Sequence, residues 1–451
     1  MNVIYIVSLE ITAILINLYL FPKNIAILIS ILTIVISVIL SRNNKIFVVT
    51  ISALFLIRSL SAINFSNYSI GNNIVLNVQV HKGKGKINEI NNKFLTSDSY
   101  IYLTNVKDGL YNITGSIKNK IIKYNNTYYN LQIDNINQIP KNKLNLYFKN
   151  KSGSLLKKGN SQLKKIYYAV ILGENQYLSK RLKNIFSYIG ISHLMALSGF
   201  HIALIILIMN FIISKMPFTK KIRNILLLIF ITCYYIGINH SPSLTRAYIM
   251  GLIYLLSNIL YENTSLKKSL CFAYIISLFF NPTYINNISF KLSYVSVFII
   301  AYIYPIIKSK INNKNKIVNT IIFIITLQLF LLPITLNEFG TIQIFSFIAN
   351  LIAVPIGSIF ITISFIGLLL ENIYLGFVVY PLVKISYLIF IKTINILNKI
   401  PLMTLKINNG FKSSLFYILY IGSLCLLLIY MKRQKEKITH EKVYKRTHIH
   451  Q

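Results

Sequence analysis

Acidic residues are scarce in this 451-residue chain, where 11 Asp and Glu stand against 47 Lys and Arg, a formal net charge of +36. The only aspartates are Asp98, Asp108 and Asp134, all in one polar segment, and the glutamates are scattered singly. Ion-coupled transporters keep acidic groups at membrane depth, and hydrolytic metal sites need clusters of carboxylates or histidines. The chain is poor in both, which argues against those two classes. Cysteine is scarce as well. Cys233, Cys271 and Cys425 lie far apart in apolar runs, with neither metal-ligand spacing nor disulfide pairing, and read as buried small hydrophobes. The first apolar run lacks a basic start, so it reads as a retained span rather than a cleaved signal peptide. No span-length internal repeat stands out, and nothing in the residue pattern asks for a metal or cofactor.

What is abundant is apolar residue. The chain is 54% hydrophobic with a mean hydropathy of +0.59. Repeated long apolar runs of that kind mark a polytopic membrane protein. The runs fall at 2–21, 25–40, 46–63, 190–213, 222–238, from Pro242 onward, 270–280, 288–307, 317–336, 345–370, 377–397 and 415–431. That pattern predicts about twelve spans, with broken helices the main source of miscounting. Between 64 and 151 the chain turns polar and rich in Asn and Lys. Short alternating pieces such as Ile74-Val75-Leu76-Asn77-Val78-Gln79-Val80 recur there, separated by turn signals such as Asp108-Gly109. They predict a small β domain outside the membrane. Residues 152–185 read as an interfacial amphipathic helix leading into the membrane. Residues 186–431 then form the main transmembrane core, and 432–451 a basic tail. The excess of Lys and Arg has three explanations: cytoplasmic loops, genomic composition bias and a polyanionic partner.

The stretch from Gly190 to Ile212 organises the rest. It opens Gly190-Ile191-Ser192-His193-Leu194-Met195-Ala196-Leu197-Ser198-Gly199-Phe200-His201-Ile202 and continues apolar. Polar side chains at membrane depth are costly and usually face other helices or a wet cavity. His193, Leu197 and His201 step by four, so an unbroken helix would hold both histidines on one broad face. Gly199 leaves that face little bulk and allows another backbone to close in.

His-Leu-Met-Ala-Leu-Ser-Gly-Phe-His-Ile resembles the signature of the ComEC family of competence membrane proteins, which carry single-stranded DNA across the bacterial inner membrane. Further matches follow in order. Ile171-Leu172-Gly173-Glu174 resembles a short feature upstream of the signature. Pro242-Ser243 followed by Arg246-Ala247 and Met250 is a second match, and Asn350-Leu351-Ile352-Ala353-Val354-Pro355-Ile356 a third. Phe290-Lys291-Leu292-Ser293-Tyr294 is similar to the family's aromatic-Gln-Leu-Ser element, with Lys291 where Gln is usual. The resemblance covers roughly 160 to 370. It implies an all-α polytopic membrane protein, some spans broken, with a small extracytoplasmic β domain that is OB-like. Tyr100, Tyr102, Tyr111, Tyr124, Tyr128 and Tyr129 beside the lysines of that domain are candidate stacking groups for a single strand. His193, Ser198, His201, Arg246, Ser293 and Asn350 are the candidate pore and DNA-contact residues. Gly190, Gly199, Pro242 and Pro355 are structural, Pro355 as a helix breaker or kink. Long family members carry a C-terminal metallo-β-lactamase-like domain, which needs a His-x-His-x-Asp-His cluster. No aspartate follows Asp134 here, and His440, His448 and His450 read as part of a solvated tail.

Placing the N-terminus in the cytoplasm and letting each run cross once tests the orientation without homology. Cytoplasmic loops then hold Arg42 and Lys45, the cluster from Lys215 to Arg223, Lys267 and Lys268, the lysines from Lys308 to Lys316, and the tail from Lys432. The outer loops near His240, Pro282 and Glu338 hold none, and only Lys23 and the Lys399–Lys412 loop break the positive-inside trend. Both termini are expected in the cytoplasm and the β domain outside. The leading function is a channel for single-stranded DNA during natural transformation. Its expected partners are the DNA strand and the lipid bilayer, with a DNA receptor, a cytoplasmic ATPase or helicase and a separate nuclease as candidates. Two alternatives stay open: a small-molecule or lipid transporter, and an intramembrane serine protease with Ser198 as nucleophile and His193 or His201 as base.

Overall fold

Strand alternation sets the β domain. In the computed structural model, the described residues are most of 73–138 and 142–406, plus isolated positions between 11 and 52. The expected spans at 2–21, 25–40, 46–63 and 415–431, and the 432–451 tail, fall largely or wholly outside them. Ile74, Leu76, Val78 and Val80 point inward while Val75 between them is exposed, the period-two pattern of a strand buried on one face. Five strands result: β1 (Asn73–His81), β2 (Lys84–Ile90), β3 (Lys93–Tyr102), β4 (Gly109–Lys123) and β5 (Asn126–Gln138). They close into a barrel in the order β1-β2-β3-β5-β4, β1 returning to β4. All pairs are antiparallel except β3 with β5. Closure leaves no free edge. The interior is aliphatic, with Ile87, Ile101, Ile113 and Ile117, and it also takes Tyr111 and Tyr129. Those two tyrosines were expected as stacking groups. They face the core instead because a small barrel fills its interior with side chains, while Tyr102 is exposed.

The rest is helical: α1 (Lys143–Leu155), α2 (Ser161–Leu172), α3 (Lys180–Tyr188), α4 (Gly199–Ser214), α5 (Lys220–Gly237), α6 (Pro242–Ile259), α7 (Leu266–Phe280), α8 (Ile288–Phe298), α9 (Tyr304–Ile311), α10 (Lys316–Phe339), α11 (Ser346–Glu371) and α12 (Gly376–Leu397). A π-helical stretch at Ile299–Ile303 joins α8 to α9. Side-chain N-caps start most of them, as the sequence demands. Asn142, Asn160, Ser179, Thr219, Ser241, Ser265, Asn287 and Asn315 each accept a backbone N–H of the first turn. Pro242 follows its cap at a position where its missing N–H costs nothing. Among the described residues, Ile288–Ser309, Lys316–Phe339, Ser346–Glu371 and Gly376–Leu397 are long and apolar enough to cross a membrane, with Gly199–Ser214 a shorter apolar helix. Large apolar side chains such as Leu207, Phe211, Ile229, Leu329, Phe377 and Leu382 are exposed along these helices. A hydrocarbon surround removes the usual cost of that exposure.

Several expectations change here. The stretch 152–185 divides among the end of α1, α2 and most of α3. Its apolar side chains, such as Leu163, Ile166, Leu172 and Leu178, are buried in protein, not presented outward. Pro355 does not break its helix. α11 runs continuously from Ser346 to Glu371 with Ala349, Ala353, Gly357 and Phe360 buried along one side, and that packing holds the helix across the missing hydrogen bond. Cys233 is exposed and Cys271 partly so, since an apolar residue on an outward helix face meets lipid as readily as core; Cys425 lies outside the described residues.

Candidate functional site

The signature is not one helix. Ser192–Met195 forms a single turn, Leu197 and Ser198 are non-helical, and α4 begins at Gly199. The spacing of His193 and His201 therefore does not align them on a common face: His193 is exposed and His201 is 1% exposed. The break has a local cause. Ser198 is extended, and His201, three residues on, reaches back to it. His201 Nδ1 accepts the Ser198 backbone N–H at 3.2 Å and lies 3.1 Å from Ser198 Oγ. This is a capping box with imidazole in place of the usual carboxylate or amide. Gly190 sets up the approach. It has a φ of +77° and sits against Ser346 and Gln343, a place where any side chain would collide.

Because Nδ1 accepts a backbone N–H, the ring proton belongs on Nε2. That Nε2 is buried and has no hydrogen-bond partner among the described residues. Gly199, next to the cap, abuts α6. A Cβ there would stand 2.9 Å from Arg246 Nη2 and 3.3 Å from the Ala247 Cβ. Arg246 is 7% exposed. Its Nη1 donates to the carbonyl of Ser293 on α8, its guanidinium lies 5.9 Å from the Tyr294 ring centroid, and its Nε is unpartnered. Ser293 Oγ donates to Ser243 Oγ at 2.9 Å, and Ser241 Oγ donates to the Leu197 carbonyl at 3.0 Å. Tyr294 is in turn 2.8 Å from Ser277 Oγ.

Ser198, Gly199, His201, Arg246 and Ser293 thus meet where α4, α6 and α8 converge. Asn350 does not join them; it is half-buried near the start of α11, and no hydrogen bond among the described residues ties it to the cluster. Sequence reasoning missed Ser243 and Tyr294, although both lie inside motifs it singled out. Arg246 makes no ion pair among the described residues. The only salt bridges there are Lys149 with Glu174 and Lys291 with Glu338. A buried guanidinium without a carboxylate costs several kcal/mol unless water or an anionic ligand meets it. The groups left over are all donors: guanidinium N–H, imidazole Nε2–H and the first turn of α4. Such a set takes an acceptor-rich anion. The Ser198–His201 contact uses the nitrogen that already closes the cap, and among the described residues no carboxylate orients the ring as one does in a serine hydrolase. Among the described residues no three His, Cys, Asp or Glu side chains converge to hold a metal ion.

A family model described as Competence protein matches residues 170–434. ComE operon protein 3 of Bacillus subtilis (strain 168) is 28% identical over 193 residues, which are 42% of this chain and 24% of that protein. This chain therefore aligns with about a quarter of the relative's length. No solved structure matches. The model match takes in the signature, Arg246 and Ser293, and extends over more than half of the sequence: the chain belongs to the competence protein family.

Proposed function

We propose that this chain is a channel that passes single-stranded DNA across the bacterial inner membrane during natural transformation. One observation carries the reading. Arg246 is buried with no counter-ion among the described residues, its Nη2 against Gly199 in the first turn of α4, and His201 Nε2 in that same turn is buried without a partner among them. Phosphodiester groups moving past would supply the missing acceptors one at a time. The scarcity of acidic groups fits a polyanionic cargo and does not fit an ion-coupled small-molecule carrier.

In this reading His193, Ser198, His201, Arg246 and Ser293 flank the path, and Asn350 contacts the strand at a separate point. About twelve spans surround it, with both termini cytoplasmic. The five-stranded barrel is read as OB-type from its strand order and outward Tyr102. It would stand on the outer face and hand over the strand. A DNA receptor, a cytoplasmic ATPase or helicase and a separate nuclease would complete the pathway. The test is uptake of labelled DNA into a nuclease-protected cytoplasmic pool by cells carrying Arg246→Met. Loss of uptake at a normal membrane level of the protein is expected. Wild-type uptake would remove Arg246 from the path and the reading with it.

A further inference from the structure

A second cationic site lies on α1, α2 and the turn after them. Lys149, Ser161, Lys164, Lys165, Tyr168 and Tyr177 line a groove of about 380 Å³. Lys149 is fixed in it. Its Nζ donates to both carboxylate oxygens of Glu174 at 3.1 Å and to Tyr177 Oη at 2.9 Å. Glu174 is the single acid between 143 and 188, against ten Lys and Arg. Being 2% exposed and paired with Lys149, it offers nothing to the other lysines. Lys164 and Lys165 have no ion pair among the described residues. The rings of Tyr168 and Tyr177 stand 6.2 Å apart at 53° on the groove wall.

Among the described residues from 148 to 199 no large hydrophobic side chain is exposed. The exposed rings nearest α1, Tyr147 and Tyr374, stand at Lys151 and do not line the groove. The groove itself offers lysines and two tyrosine rings, which suits phosphates joined to flat bases. The helix that carries Lys164 and Lys165 reaches the signature at its other end. Leu197 lies against Gly173 at the end of α2, and Asn239 donates its backbone N–H to the Leu172 carbonyl at 3.1 Å. We propose that this groove is a phosphate-contact site for single-stranded DNA at the mouth of the path. Lys164 and Lys165 meet successive phosphodiesters there, and Tyr168 and Tyr177 offer ring faces to bases. The inference rests on the channel reading above and adds a site to it.

The test uses the full chain in detergent micelles and a fluorescent oligothymidylate, titrated at several salt concentrations. Lys164→Gln/Lys165→Gln is expected to weaken binding about tenfold and to reduce the slope of log K against log salt by about 1.4, the value for two lost phosphate contacts on a single strand. Unchanged affinity and slope would overturn the proposal. So would a thermal shift by soluble short-chain phosphatidylglycerol that the double variant abolishes while its oligonucleotide binding stays intact. Arg246→Met, assayed for uptake alongside, separates the two readings. If it blocks uptake while the lysine variant binds normally, only the groove falls. If it transports normally while the lysine variant loses binding, the groove stands as a DNA-contact site only, and its place at the mouth of a path past Arg246 falls with that path.

Discussion

One nitrogen of His201 serves two groups of Ser198: Nδ1 lies 3.2 Å from its backbone nitrogen and 3.1 Å from its hydroxyl. The cap and the spare Nε2 are separable by substitution. Gln at this position keeps the capping box but does not reproduce the Nε2 donor. His201→Gln is therefore expected to melt near the wild-type temperature in detergent yet to lose DNA uptake, while His201→Ala loses about 1 kcal/mol of stability as well. Full uptake by His201→Gln would reduce the histidine to a cap.

The same pair shows what the sequence does and does not disclose. Strand periodicity from Ile74 to Val80 and the Asn, Ser and Thr caps are local signals, and the fold uses them directly. The break before Gly199 was hidden because His193, Leu197 and His201 keep a helical step across it. Ser198 followed three residues later by His201 was the signal available, in an unusual form. Pro355 misleads in the opposite sense: it looks like a break, and α11 continues through it. Arg246 was legible as an isolated cation in an apolar run. Its partner Ser293 lies 47 residues away, and only tertiary packing brings the two together.

Lys149 and Glu174 meet across 25 residues. Burial alone would lower the Lys149 pKa, but the Tyr177 hydroxyl and the Glu174 charge outweigh it and raise it above its ordinary 10.5. A raised lysine pKa adds stability that is complete below 10.5 and is lost only as pH climbs through the higher folded value. The lysine's contribution should therefore stay constant up to about pH 9. Lys149→Met strands the Glu174 carboxylate and is expected to cost on the order of 3 kcal/mol, and adding Glu174→Gln should recover most of that. A Lys149→Met protein that melts like wild type would show the pair to be dispensable.

His240, in the loop between α5 and α6, stacks on Tyr235 at 4.2 Å and 29°, and Tyr235 stacks on Tyr248 at 4.0 Å and 3°. Burial lowers the His240 pKa below 6.5, opposed in part by its hydrogen bond to the Tyr235 carbonyl. Between that lower folded value and 6.5 the unfolded chain binds more protons than the folded one. Stability is then full above pH 6.5 and falls as pH drops through the window. The melting temperature of wild type should decline more than that of His240→Gln between pH 7.5 and pH 5.5. An imidazole titration by NMR that placed His240 at or above 6.5 would contradict the lowered value.

Gly199 and Gly190 should fail in different ways when replaced by alanine. At Gly190 the backbone is left-handed, φ +77°, and a Cβ would run into Ser346 Cβ and Gln343. Left-handed backbone costs a residue with a Cβ about 1–2 kcal/mol before any collision is counted, so Gly190→Ala should lower the melting temperature and the amount of protein in the membrane. At Gly199 the backbone is ordinary helix, and alanine is the better helix former. The nearest atom to its Cβ, Arg246 Nη2 at 2.9 Å, is the far end of a flexible side chain. Gly199→Ala should therefore fold and insert normally while pushing the guanidinium off the α4 terminus. If that contact matters for transport, uptake falls with no loss of stability. The reverse pattern, lower stability with uptake per inserted molecule unchanged, would mean that Gly199 serves packing alone.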